Sequence, residues 1–132
     1  MTDAEAGAPA PGERDSVYDL FRRGSELLEQ RHPAAAALLL ERADRLEPGK
    51  ASIIEALARA YYDVGRYAPA AERFRSIVEA NPLAHYGHFG LGLSAFRLGE
   101  TDAARRHLRM AVFLKPQNED YQRALRRLGE AA

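Results

Sequence analysis

Residues 48–82 read PGKASIIEALARAYYDVGRYAPAAERFRSIVEANP, a stretch bounded by Pro48 and Pro82 and holding two apolar-periodic segments divided by Gly65. A third proline, Pro116, lies another 34 residues on, and three further columns keep the same spacing. The small residues Gly24, Ala58 and Gly92 form one, Ala36, Ala70 and Ala104 the next, and Leu40, Phe74 and Leu108 the last. Four columns in one register specify a stack of helical hairpins, because each unit buries its apolar face only against its neighbour. The expected fold is all-α: three helical hairpins followed by a capping helix.

Working outward, Ser16 followed by Asp19 resembles a helix start, and a helix is predicted from about Ser16 to Gln30. His32 and Pro33 break it, and the partner helix runs from Pro33 to about Leu46, since proline is tolerated in a first turn. The second hairpin starts near Ser52 and Glu55, turns at Gly65 and continues from Tyr67 to Ala80, with Pro69 in its first turn. The third spans Leu83 to Leu98, turns at Gly99 and restarts with Thr101 as its cap, reaching Leu114. Asn118 is expected to cap a last helix with Tyr121, Leu125 and Leu128 on one face and Arg123, Arg126 and Arg127 mostly on the other. That amphipathic segment suits the closing element that an open solenoid edge requires.

The small columns carry a packing argument of their own. Gly24, Ala58 and Gly92 mark a close approach between the two helices of each hairpin, and Ala36, Ala70 and Ala104 are expected to face it from the second helix. Larger side chains there would push the helices apart.

Composition sets the outer limits. The 132 residues suit one domain, and 46% hydrophobic with 29% charged residues is ordinary for a soluble globular chain. The 19 basic and 19 acidic residues cancel, so no global field draws the protein to nucleic acid or anionic lipid. A mild gradient runs along the chain, from an acidic excess over residues 1–50 to a basic excess over residues 100–132. Without cysteine there is no disulfide, thiolate metal site or thiol nucleophile, which fits a reducing compartment, and a cytoplasmic location is expected. Met1 to Arg14 is rich in Ala, Pro and Gly and lacks the pattern of a signal peptide, so residues 1–15 read as a disordered arm ahead of a domain at 16–132. The most apolar run, Ala34 to Leu40, is far short of the roughly 20 residues that cross a bilayer, and no membrane contact is expected. Only Lys50 and Lys115 of the basic residues are lysine, which with the abundant alanine has the look of a GC-rich bacterial genome.

These residues resemble the tetratricopeptide repeat family. The second repeat carries Leu57, Ala58, Tyr61, Gly65, Tyr67, Ala70, Phe74 and Pro82 where that family's pattern has them. The third carries Leu91, Gly92, Gly99, Ala104, Leu108, Ala111 and Pro116. The first keeps Gly24, Ala36, Leu40, Ala43 and Pro48 but has Arg31, His32 and Pro33 where the family usually turns through glycine. The resemblance implies a right-handed α-solenoid with repeats at about 17–50, 51–84 and 85–118 and a capping helix at about 118–130. Fold alone does not name a partner.

The family also implies where binding occurs, on a concave groove lined by the first helix of each hairpin. Carried onto this chain, the groove residues are Tyr18, Phe21, Arg22 and Ser25, then Glu55, Arg59 and Tyr62, then Tyr86, Phe89, Leu93, Phe96 and Arg97. Six of the chain's 11 aromatic residues would then face the groove, as anchors suited to binding hot spots, although some could instead pack between helices. Arg59 and Arg97 would add directional contacts to a carboxylate or carbonyl. Some members of the family hold a chaperone's C-terminal carboxylate in a clamp of lysine, asparagine and arginine. The matching positions here are Phe21, Ser25, Ala56, Tyr86 and Gly90, so the clamp is absent and an apolar or aromatic partner segment with some charge is expected.

Other chemistry finds little support. His85 and His88 stand three apart, with Glu55 as a conceivable third metal ligand, but His88 shares a column with Leu20 and Ile54 and reads as a packed, hydrogen-bonded histidine. His32 sits at a turn and His107 on a surface helix, without ligand spacing. No phosphate loop or nucleophile setting is present, so no enzyme, metal or cofactor is expected. Arg105, Arg106, Arg109, Arg123, Arg126 and Arg127 could form a basic end patch for nucleic acid, but Glu100, Asp102, Glu119, Asp120 and Glu130 dilute it into a solvated face. Two readings follow: an adaptor or co-chaperone scaffold binding a partner segment in the groove, and a self-assembling structural subunit whose groove takes another copy in a homodimer or head-to-tail chain.

Overall fold

The computed structural model describes residues 11–131, and among them the side chains of residues 16–130. Seven α-helices follow in order: α1 Pro11–Glu29, α2 Pro33–Leu46, α3 Ala51–Asp63, α4 Tyr67–Ala80, α5 His85–Arg97, α6 Thr101–Leu114 and α7 Glu119–Ala131. Each hairpin packs closely within itself and against the next, and α7 packs on α5 and α6. The first helices of successive hairpins, α1, α3, α5 and α7, also touch one another in sequence, whereas α2, α4 and α6 do not. The stack therefore curves, with the first helices on the inside.

The core sits in the columns read from the sequence. Ala36, Leu40, Ala58, Ala70, Phe74, Ala104 and Leu108 are all buried. The close approach is real, but its facing partner is different: a side chain at Gly24 would collide with Leu40 at 2.7 Å, and one at Gly92 with Leu108 at 2.8 Å. The alanines lie one turn earlier and let the helices close around those leucines. Between hairpins a second seam appears, where Gly87 meets Ile77 and Gly90 meets the ring of Phe74.

Each hairpin turns in the same way. Gly65 and Gly99 take the left-handed backbone conformation, at φ 86° and 80°, and Arg31 takes it at φ 65°. In all three the following amide closes the helix end by bonding to the carbonyl five residues back: His32 to Leu27, Arg66 to Tyr61 and Glu100 to Ala95, at 2.8 to 2.9 Å. This is the Schellman arrangement, which satisfies carbonyls the helix leaves orphaned.

Helix starts depart from expectation. α1 begins at Pro11, so Ser16 lies inside it rather than capping it, and residues 11–15 of the expected arm are helical; the rest of that arm lies outside the described residues. The N-cap of α6 is Glu100, with Thr101 already helical and no side-chain cap bond. Asn118 does cap α7, its Oδ1 accepting the Tyr121 amide at 3.0 Å.

Candidate functional site

On the inner face, α3, α5 and α7 enclose a cleft of about 370 Å³. Five expected groove residues line it: Tyr62, Phe89, Leu93, Phe96 and Arg97. The closing helix supplies the opposite wall through Asp120, Arg123, Ala124, Arg127 and Leu128, with Leu108 beneath. The sequence reading gave α7 a covering role and missed this one. The signal was its arginines, which at i and i+4 form a polar edge beside the apolar seam.

The cleft floor is fixed by aromatic packing. Phe89 stacks on Tyr121 with ring centroids 4.5 Å apart, and the Tyr121 hydroxyl lies 2.7 Å from Nδ1 of His85. Tyr62 meets Tyr67 edge-on at 5.1 Å. Arg97 donates from Nε to the Tyr62 hydroxyl at 3.3 Å and lies over the Tyr67 ring, which together hold its guanidinium above its usual pKa. Phe96 stays 39% exposed and so presents its ring to solvent at the cleft. Arg123 pairs with Asp120 at 2.8 Å, whereas Arg127 has no ion pair among the described residues.

The remaining expected groove residues lie outside this cleft. Tyr18 is 69% exposed on α1, and Phe21 packs into the core beneath it. Arg22 is engaged by Asp19 and Glu26 at 2.6 and 3.1 Å, and Ser25 is half-buried. Glu55 borders a separate hollow with Ile54 and Ile77. Arg59 borders a polar depression with Arg31 and Asp63, where burial pushes the Asp63 carboxyl up. Tyr86 packs edge-on against Phe74, and burial raises its phenol to about 12.

The positions matching the carboxylate clamp are physically closed at two points. Ala56 is buried, and a side chain on Gly90 would enter the Phe74 ring at 2.3 Å. His88 is packed as expected, with Nε2 2.8 Å from the Pro82 carbonyl. His107 is not an isolated surface residue: its Nδ1 lies 3.2 Å from Nδ1 of His88 with the rings stacked. His85 is engaged by Tyr121, and among the described residues no three metal-ligating side chains gather. No described helix is long and apolar enough to cross a membrane.

Comparison with known proteins agrees with this architecture. The tetratricopeptide repeat family model matches residues 55–119. The chain resembles the first TPR of Spaghetti (RPAP3) bound to the HSP90 peptide SRMEEVD, with 19% identity and a TM-score of 0.79 over 89% of this chain and 93% of that one. It resembles MamA 41-end from Desulfovibrio magneticus RS-1 with 17% identity and a TM-score of 0.83, over 87% of this chain and 65% of that one. A further structure, MamA MSR-1 C2, is 25% identical with a TM-score of 0.77, over 87% and 66% of the two chains. No curated protein sequence matches significantly. Tetratricopeptide repeat domains generally mediate protein–protein interaction. With its period of 34, its family match and seven described helices that fit three repeats and a C-terminal capping helix, the chain belongs to the tetratricopeptide repeat family.

Proposed function

We propose that this chain is a non-enzymatic adaptor or co-chaperone that holds an apolar or aromatic segment of a partner protein in the cleft between α3, α5 and α7. One observation carries the reading: Tyr62, Phe89, Leu93, Phe96 and Arg97 converge on one open hollow of about 370 Å³. That is within the roughly 300–1,000 Å³ of sites that take ligands. Its apolar floor would be shielded from water by an inserted side chain, and aromatic anchors of this kind dominate binding energy. Arg97 is pre-positioned by Tyr62 and Tyr67, so little freedom is lost when it meets a carbonyl or carboxylate. The first TPR of Spaghetti (RPAP3) takes an HSP90 peptide; with Gly90 closed against Phe74, the partner proposed here is not an acidic chaperone tail. A cytoplasmic, bacterial setting belongs to the same proposal.

The test uses the whole chain and a Phe96→Ser, Leu93→Ser variant. Peptides selected from a displayed random library on the wild type should bind the variant at least about tenfold more weakly, a loss of about 1.4 kcal/mol. Equal binding would place the site elsewhere. Light scattering over a concentration series separates the self-assembly reading: a mass that rises for the wild type alone would make a second copy the occupant of the cleft.

A further inference from the structure

The outer helix α6 carries a stripe unrelated to the cleft. Arg106, Arg109, Met110 and Phe113 recur at helical spacing on one face, and all four are exposed, Phe113 by 77% and Met110 by 40%. The opposite face of the same helix, Ala104, Leu108 and Ala111, is buried in the stack.

One repeat earlier the same register holds Glu72, Arg75, Ser76 and Glu79, which are also exposed. These are therefore solvent positions of the repeat, and the stack requires nothing apolar there. The third repeat nonetheless places methionine and phenylalanine side by side. It also leaves the neighbouring charge unspent: neither Arg106 nor Arg109 makes an ion pair among the described residues, whereas Arg105 is held by Asp102.

We propose that this stripe is a second docking surface, whose occupant is an acidic amphipathic segment of a partner protein. Apolar side chains of that segment cover Met110 and Phe113, and its carboxylates pair with Arg106 and Arg109. Two arguments fix this class of occupant. Aromatic residues, methionine and arginine are the types enriched at protein interfaces, and complementary charge sets register and orientation on such a face. A membrane surface fits less well, because two apolar side chains with few cations are a small anchor where stable attachment needs two strong signals.

The graft that tests it is Met110→Ser with Phe113→Glu, which restores the residues of the preceding repeat at positions exposed in both, so the fold is kept and circular dichroism checks it. Peptides are selected from a displayed random library on the whole chain and counter-selected on the grafted variant. The expected result is a set rich in Asp and Glu with apolar residues at helical spacing, binding the graft about tenfold more weakly, losing affinity with added salt, and binding the Phe96→Ser, Leu93→Ser variant unchanged. Selection of no stripe-dependent peptide, or of peptides without acidic bias, overturns the proposal. So does stripe-dependent binding of phosphatidylserine vesicles or of a single-stranded oligonucleotide in place of peptide.

Discussion

The ring of Phe89 lies on the ring of Tyr121, centroids 4.5 Å apart and planes inclined by 29°. The cleft floor and the closing helix are thus one packing unit. Tyr121 is buried and also meets His85, so Tyr121→Ala removes a stacked ring, a hydrogen bond and the anchor of α7 together. The expected cost is about 2–4 kcal/mol, in the range for truncating a buried aromatic. In a repeat stack, loss falls on the nearest interface. Amide exchange should therefore quicken first in α7, and uniform quickening across all helices would refute this local coupling.

Substituting glycines separates packing from propensity. Gly90→Ala drives a methyl into the Phe74 ring at 2.3 Å, and Phe74 is itself buried between hairpins. Gly129→Ala, in α7, meets nothing within 4 Å. Urea midpoints should move in opposite directions, with about 1–3 kcal/mol lost at Gly90 through overpacking and up to about 1 kcal/mol gained at Gly129 through helix propensity. Gly92→Leu should follow Gly90, because its neighbours include the backbone of Leu108 at 3.2 Å, which cannot rotate away.

That contrast also explains what the sequence made legible. Gly24 and Gly92 were visible because they recur at the period, as were Leu40 and Leu108, so the hairpins and their order followed from spacing. Gly90 has Ala56 and Arg22 at its register positions and stands in no column, so its contact with Phe74 belongs to this one interface. Half of the cleft was hidden for a related reason. α7 is outside the period, and whether Arg123 and Arg127 face solvent or a hollow depends on how the helix docks, which periodicity does not encode. Helix starts were misjudged where Ser16 and Thr101 looked like caps: α1 already begins at Pro11, and α6 is capped at Glu100 with no side-chain bond, so a capping residue type alone did not mark the boundary.

Acid should act through His107. The Pro82 carbonyl can only accept, so Nε2 of His88 donates to it, and in the neutral pair Nδ1 of His88 accepts the proton of His107. Burial first, then His88, Arg106 and Arg75 facing the ring, lower the His107 pKa from its ordinary 6.5. Near that pH the unfolded chain binds more protons at this site than the folded one, so stability from His107 is complete above pH 6.5 and declines as pH falls toward the folded value. His107→Gln keeps a donor for His88 without titrating. Its melting temperature should fall less than that of the wild type on acidification below this point, and parallel declines would remove His107 as the cause.

Arg31 occupies the turn position that Gly65 and Gly99 hold in the later repeats, with the same left-handed backbone and the same closing bond from the next residue. Glycine takes that conformation freely, whereas a residue with a Cβ is strained by roughly 1–2 kcal/mol. The first hairpin turns as the others do because the Schellman bonds and the proline at the start of α2 over-determine its path. Arg31→Gly relieves the strain but loosens the unfolded chain, which offsets part of the gain. The net expectation is a stabilisation of about 0.5–1 kcal/mol, read as a higher urea midpoint with an unchanged slope. A lower midpoint would mean that the Arg31 side chain, beside Arg59 and Asp63 at the polar depression, contributes more than its backbone costs.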